Sequence, residues 1–398
     1  MSSKRIFIIA GENSGDLHGS NLVKAIRKMD SSIGFKGLGG PQLASAGVTL
    51  MMNIVEDFAI IGFWEILKNL SKFKKLFKGV VDELKNGNYS GIILIDYPEF
   101  NLKVARKAKK LGIPIIYYIS PQIWAWRRGR RKEISNIVSK MLVVLPFEVK
   151  HYEGTGLDVE YVGHPLLDVI KLTMTKDVVC KKFNLDPNKL IIGLLPGSRK
   201  GEVERILPIM IATAELIKQK IPDAQFVLPR ASTVSQDLIQ LHLQNTSLNI
   251  MVVNEFRYNV RSILDFALVA SGTATLESAF LKTPMVVIYK VSLLTWLIAK
   301  NLVTLPYIGL VNILAGDLIV PEFIQNDAKP TAIAKRVLKI LNDPEELENI
   351  KFELAKVREK IGEPGASINA ARAVLEVINR ETKKEIQQNI QTTDNTEK

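Results

Sequence analysis

Ile6-Phe7-Ile8-Ile9-Ala10-Gly11-Glu12-Asn13-Ser14-Gly15-Asp16-Leu17-His18-Gly19 decides the fold class. The apolar run from Ile6 to Ala10 has no polar face, which suits a strand buried on both sides, and a small-residue loop then leads into a helical pattern. In an open α/β sheet the strand ends at such turns face the ligand crevice. Glycines there let the main chain approach a ligand, so Glu12, Ser14, Gly15 and Asp16 are candidate contacts and Glu12 a candidate catalytic carboxylate. The plainer reading is a strand-to-helix turn with an Asx or Ser cap.

Working outward, similar runs recur with helical patterns between them. They are Gly91 to Ile95, Ile113 to Ile119, Met141 to Leu145, Leu190 to Leu195, Gln225 to Leu228, Leu248 to Val253, Phe266 to Ala270 and Met285 to Tyr289. Such alternation predicts an α/β protein with parallel sheets covered by helices. The pattern restarts near residue 190, and 398 residues exceed the usual size of one core. Two Rossmann-like domains follow, residues 1–165 and 166–362, their sheets facing a central cleft. Gly362-Glu363-Pro364-Gly365 lets a last helix (363–380) cross back to the first domain. The polar stretch 381–398 reads as a disordered tail.

With 53 Lys and Arg against 41 Asp and Glu, the chain carries a formal charge of +12, which favours polyanionic partners without choosing among them. A mean hydropathy of +0.11 adds the expectation of apolar surface. Cys180 is the only cysteine, which excludes an intramolecular disulfide and fits a reducing cytoplasm. His18, His151, His164 and His242 have no metal-ligand spacing, so no metal site is expected. No window approaches the ~18 apolar residues of a membrane span, so any membrane contact is expected to be peripheral.

Chemistry-bearing residues cluster at the strand ends. Asp96 follows the run Ile92-Ile93-Leu94-Ile95, and a carboxylate there suits a general base or, more simply, a helix cap or an arginine's partner. Ser120-Pro121-Gln122-Ile123-Trp124-Ala125-Trp126-Arg127-Arg128-Gly129-Arg130-Arg131-Lys132 suits a nucleic-acid surface, a phosphorylated lipid headgroup, or a solvated basic face beside packing tryptophans. Pro196-Gly197-Ser198-Arg199 opens a helix whose N–H groups can cradle a diphosphate, although the spacing is not that of a Walker loop. Ser271-Gly272-Thr273 opens another, with Glu277 one turn in as an acceptor for ribose hydroxyls; a small-residue cap is the alternative for either.

Residues Gly62 to Lys85 set Phe63, Leu67, Leu70 and Phe77 at helical spacing among Lys68, Lys72, Lys74, Lys75 and Lys78. That pattern fits a basic amphipathic helix in a headgroup layer, or an ordinary helix burying its stripe. Leu293 to Leu310, with Trp296 and Tyr307, is either core or the mouth of a lipid pocket.

Ala10 to Asp16, Asp96-Tyr97-Pro98-Glu99-Phe100-Asn101, Ser120 to Trp126, Leu145-Pro146-Phe147-Glu148, Gly163-His164-Pro165, Leu195 to Arg199 and Ala270-Ser271-Gly272-Thr273-Ala274 together resemble the lipid-A-disaccharide synthases. The resemblance runs from about residue 5 to 375. It implies a GT-B fold and an inverting glycosyltransferase that joins UDP-2,3-diacylglucosamine to 2,3-diacylglucosamine 1-phosphate in lipid A biosynthesis. It makes Asp96 the base, assigns Gly197, Ser198, Arg199, Ser271, Gly272, Thr273, Glu277 and Asn312 to the UDP-sugar, and implies no cofactor. Glu99 stands where the family carries aspartate, which leaves its part open. The implied setting is the cytoplasmic face of the inner membrane, with an anionic lipid surface as partner and no nucleic acid. Oligomeric state, a homodimer included, is not legible. The competing readings are another UDP-sugar GT-B enzyme, such as UDP-N-acetylglucosamine 2-epimerase or the transferase acting on lipid I, and an RNA-binding α/β module.

Overall fold

A computed structural model of the chain describes residues 4–55, 70–126, 129–293, 295–297 and 305–380. The chain divides into two compact units, Met1–Asp168 with Glu363–Lys398, and Val169–Gly362. The division falls after Asp168 rather than after residue 165 for a local reason. The Asp168 carboxylate accepts from Gly365 N (2.6 Å) and Ser367 N (2.8 Å), capping the helix at 366–380.

The first unit holds a seven-stranded sheet in the order β3-β2-β1-β4-β5-β6-β7. Its strands are β1 (Arg5–Ala10), β2 (Gly34–Gly39), β3 (Thr49–Asn53), β4 (Gly91–Ile95), β5 (Ile115–Tyr118), β6 (Lys140–Val143) and β7 (Asp158–Tyr161). All neighbours pair in parallel. On one face Phe7, Ile9, Leu94 and Tyr117 pack with Val80, Leu84 and Phe100 from the covering helices. On the other face Gly19 lies close to Ile95 and Gly91 close to Ile378, so the helices at Asn13–Met29 and 366–380 cover it. Each aliphatic side chain fully buried this way contributes roughly 1.5–3 kcal/mol.

The second unit holds a six-stranded parallel sheet in the order β10-β9-β8-β11-β12-β13. Its strands are β8 (Ile191–Leu195), β9 (Gln225–Pro229), β10 (Ile250–Val253), β11 (Phe266–Ala270), β12 (Met285–Tyr289) and β13 (Glu322–Ile324). The expected central strands are present. The additions are β2, β3, β7 and β13, which lack continuous apolar runs. In β2 the glycines have a steric cause, since a Cβ on Gly37 would overlap the Ile8 carbonyl of the adjacent strand.

The lysine-rich segment begins in the described residues with the helix Leu70–Asn86. Its stripe faces inward: Phe73, Leu76 and Phe77 pack on the core, and the Phe73 and Phe77 rings meet Phe100 edge-on. Lys72, Lys74, Lys75 and Lys78 are exposed. For Phe77 the structure shows the second of the two readings, an ordinary helix burying its stripe, and not a side chain facing lipid. Phe63, Leu67 and Lys68 lie outside the described residues, as does the tail 381–398. Trp296 is half-buried between the exposed Leu293 and Leu297.

Candidate active site

In each sheet one pair of neighbouring strands sends its chain outward in opposite directions, and ligands bind outside the carboxyl ends of such a pair. In the first unit the pair is β1 and β4. Ala10 lies in register with Ile95, so the next residues, Gly11 and Asp96, leave the sheet side by side. In the second unit the pair is β8 and β11, with Leu195 opposite Val269, so the Gly197 and Ser271 loops emerge together.

Asp96 ends β4 in the left-handed region at φ 45°, and Tyr97 follows at φ 46°. Neither is glycine, and each left-handed residue costs roughly 1–2 kcal/mol, a strain that persists only where surroundings over-determine it. Here the Asp96 carbonyl accepts from Tyr117 Oη (2.6 Å) and from Asn101 Nδ2 (2.7 Å). Tyr97 lays its ring over Gly11, where a Cβ would stand 2.9 Å from Cδ2. Burial, helped by the charge of Glu12, pushes the Tyr97 phenol up to about 12. Glu12, half-buried, is thus beside the turn that carries Asp96.

Not every first-loop candidate is placed to touch a ligand. Asp16 is fully buried, and its carboxylate accepts from the main-chain N–H groups of Gly40 (2.7 Å), Gln42 (2.9 Å) and Leu43 (3.1 Å). It fastens the next loop instead of a substrate. Gly15 is likewise buried, where a Cβ would meet Ile95 and Ala10, so it serves close helix-to-strand packing. Ser14 remains exposed in the first turn of its helix.

The tryptophan block is mostly structural. Trp124 is buried, packs edge-on against Phe147, and donates through Nε1 to Glu148 (3.0 Å). Glu148 also accepts from Val144 N (3.3 Å) and Leu145 N (3.1 Å). Burial pushes its carboxyl up to about 7, against those three donors and with the charge of Asp96 adding to the rise. Arg130 forms a two-pronged pair with Glu99 (2.9 and 3.2 Å), which gives the longer acidic arm a partner within the chain. The Trp126 side chain, Arg127 and Arg128 lie outside the described residues.

In the second unit Gly197 takes φ 107°, which turns the loop so that Ser198 and Arg199 precede the helix Lys200–Lys220. The Arg199 side chain is 68% exposed and lies 3.3 Å from Glu202. Glu202 Oε2 accepts from Ser198 N (3.3 Å) and Arg199 N (3.4 Å), so a carboxylate of the chain itself occupies the N–H groups assigned to a diphosphate. Across the gap, Gly272 at φ 147° has open space where a side chain would be, and Thr273 is exposed at the start of the helix Thr273–Phe280. Ser271 donates to the Ile308 carbonyl (3.0 Å).

Glu277 is more committed than its assignment implies. It pairs with the buried Arg261 and accepts from Tyr258 Oη (3.2 Å). Both oxygens are thereby oriented, with lone pairs left for a hydroxyl. Asn312 is fully buried, donates to Val320 O (2.9 Å) and Glu322 Oε1 (2.8 Å), and accepts from Val320 N (3.1 Å). Both of its amide hydrogens are used inside the domain, so it braces the loop that carries Val320. Tyr97, Tyr117, Glu148, Glu202 and Arg261 were not singled out as site residues from sequence. Their motifs hold most of them, but only contacts assign the roles.

Among the described residues no group of three or more His, Cys, Asp or Glu is placed to hold a metal ion, and no helix is long and apolar enough to cross a membrane. Comparison with solved structures finds the same two-domain fold in UDP-GlcNAc 2-epimerase from Neisseria meningitidis bound to UDP-GlcNAc. That match has a TM-score of 0.62 at 14% identity and covers 94% of this chain and 99% of that one. The calicheamicin glycosyltransferase matches with a TM-score of 0.59 at 11% identity, covering 96% of this chain and 99% of that one. At the sequence level the lipid-A-disaccharide synthase of Syntrophus aciditrophicus is 44% identical over 381 residues, 96% of this chain and 99% of that protein. That of Geobacter metallireducens is 42% identical over 378 residues, 95% and 98%. The family profile described as lipid-A-disaccharide synthetase matches residues 6–377, and with Asp96 and the Ser198-Arg199 loop standing at the two strand switch points, the chain belongs to the lipid-A-disaccharide synthase family.

Proposed function

We infer that this chain joins UDP-2,3-diacylglucosamine to 2,3-diacylglucosamine 1-phosphate, inverting the anomeric centre and releasing UDP. The observation that carries the reading is Asp96, held at the β1/β4 switch point in a strained turn. The acceptor 6-hydroxyl is a poor nucleophile. Asp96 takes its proton as the oxygen attacks the anomeric carbon, and the bond from that carbon to the diphosphate breaks in the same displacement. Charge grows on the departing diphosphate. Arg199 and the main-chain N–H groups at Ser198 and Gly272-Thr273 are the groups that meet it, by the electrostatic logic of an oxyanion hole. Glu202 must then yield those N–H groups to the phosphate. Glu277, oriented by Arg261 and Tyr258, accepts from the ribose. Glu12 beside Tyr97 is the second carboxylate of the acceptor side.

Acylated substrates place the enzyme at a lipid surface, and the exposed Lys72, Lys74, Lys75 and Lys78 supply the charge for peripheral attachment to an anionic leaflet. The decisive test is mass spectrometry of the product made from the two diacylglucosamine substrates. A tetra-acylated disaccharide 1-phosphate is expected; epimerised UDP-sugar with no disaccharide would overturn the assignment.

A further inference from the structure

With Asp96 read as the base, we propose that Tyr117 and Asn101 are positioning residues for its carboxylate, acting through the Asp96 main-chain carbonyl. The direction of a side chain is set by its backbone. Were Asp96 and Tyr97 to relax from φ 45° and 46° to the extended form, the carboxylate would leave its place at the strand end. The helix that follows, Pro98–Lys110, has Tyr97 as its N-cap, and no side-chain cap hydrogen bond is made there, so capping does not fix the turn.

Two buried donors supply the restraint. The Asn101 amide spends both hydrogens on consecutive carbonyls, Ile95 O (3.2 Å) and Asp96 O (2.7 Å), and so clips the strand end to the first turn of the helix. Tyr117, on the neighbouring strand β5, adds its hydroxyl at 2.6 Å. Both side chains are completely buried, and together they fill the lone pairs of that carbonyl. Burial, with the charge of Asp96 second, holds the Tyr117 phenol well above its ordinary range, so it stays a donor. Packing alone needs no hydroxyl here. Phenylalanine has the same ring, and what it lacks is the grip on Asp96.

The test is Tyr117→Phe, with Asn101→Ala as the harsher companion, assayed at saturating substrate and normalised to the folded fraction counted by UDP-binding stoichiometry. A misplacement of about 1 Å costs on the order of 100-fold, so a kcat loss of roughly 10- to 100-fold is expected with KM for the UDP-sugar unchanged. A structural role alone would lower Tm and the folded fraction but not kcat per folded molecule. In an Asp96→Asn background, Tyr117→Phe should change the residual rate less than about twofold, because no base remains to be positioned. Tyr117→Phe with kcat within twofold of the parent, or an undiminished further loss in the Asp96→Asn background, would overturn the proposal. If Asp96→Asn itself kept full activity, the base assignment would fall, and that outcome is distinguishable from the others.

Discussion

The ring of Tyr97 covers Gly11 so closely that a Cβ on Gly11 would stand 2.9 Å from its Cδ2 and nearer still to two other ring atoms. The first βα loop and the turn carrying Asp96 are therefore one unit. Gly11 does not have a positive φ, so alanine there is disfavoured by sterics alone. Overpacking of this kind costs about 1–3 kcal/mol. Gly11→Ala is expected to lower the unfolding free energy by that amount, with a lower Tm, and kcat by at least about 10-fold. Kinetics together with thermal unfolding check this, and a variant that is stable and fully active would separate the two loops.

Asp96→Asn should preserve the fold, because asparagine tolerates the left-handed region at least as well as aspartate. Loss of a general base costs about 100- to 10,000-fold in turnover. UDP affinity, measured calorimetrically, should stay at the parent level. Near-normal turnover would shift the base to Glu12.

The exposed Arg199 meets the diphosphate in the proposed mechanism, and no metal-holding cluster occurs among the described residues. Turnover is expected to persist in EDTA, while Arg199→Ala weakens both UDP binding and kcat. Charge-assisted contacts contribute about 1.5–3 kcal/mol, which corresponds to a loss of roughly 10- to 150-fold. A requirement for Mg2+ or Mn2+ would reject this account of the leaving group.

His164 gives the protein an acid-sensitive point. Burial, reinforced by the neighbouring His18, depresses its imidazole to about 3, and Nδ1 accepts from Leu166 N (3.2 Å). The unfolded chain takes up this proton near pH 6.5 and the folded chain near 3, so this contribution is present above 6.5 and is lost as pH falls through that window. Its full size is on the order of 5 kcal/mol. His164→Asn keeps an acceptor for Leu166 and should flatten the dependence of unfolding free energy on pH between about 6.5 and 4. An unchanged slope in urea titrations would place the acid sensitivity elsewhere.

Lys72, Lys74, Lys75 and Lys78 are exposed on a helix whose apolar side is held by the core. Attachment through them is then electrostatic, at about 1 kcal/mol per lysine, screened over ~8 Å at physiological salt. Glutamine at all four should release the protein from anionic vesicles at moderate salt without altering UDP affinity. Unchanged sedimentation would shift attention to the exposed Leu293 and Leu297.

The α/β class, the doubled parallel-sheet plan and the position of Asp96 just past a strand are all legible in the order of residues alone. Central strands buried on both faces must be continuously apolar, so β1, β4, β8 and β11 announce themselves, and the residues just past their ends are the crevice residues by topology. Strands nearer the sheet margins, such as β7 (Asp158–Tyr161) and β13 (Glu322–Ile324), keep polar side chains and give no such signal. What each polar residue does depends on contacts that folding makes between distant segments. Asp16 and Asn312 looked like ligand contacts, yet each is consumed by N–H and C=O groups brought to it by other segments. Tyr117 looked like part of an apolar strand, yet its hydroxyl reaches the Asp96 carbonyl on the adjacent strand. A hydrogen-bonding group can be named from a sequence, but its partner depends on which segments the fold places within 3 Å or so of it, and that distance is set by packing.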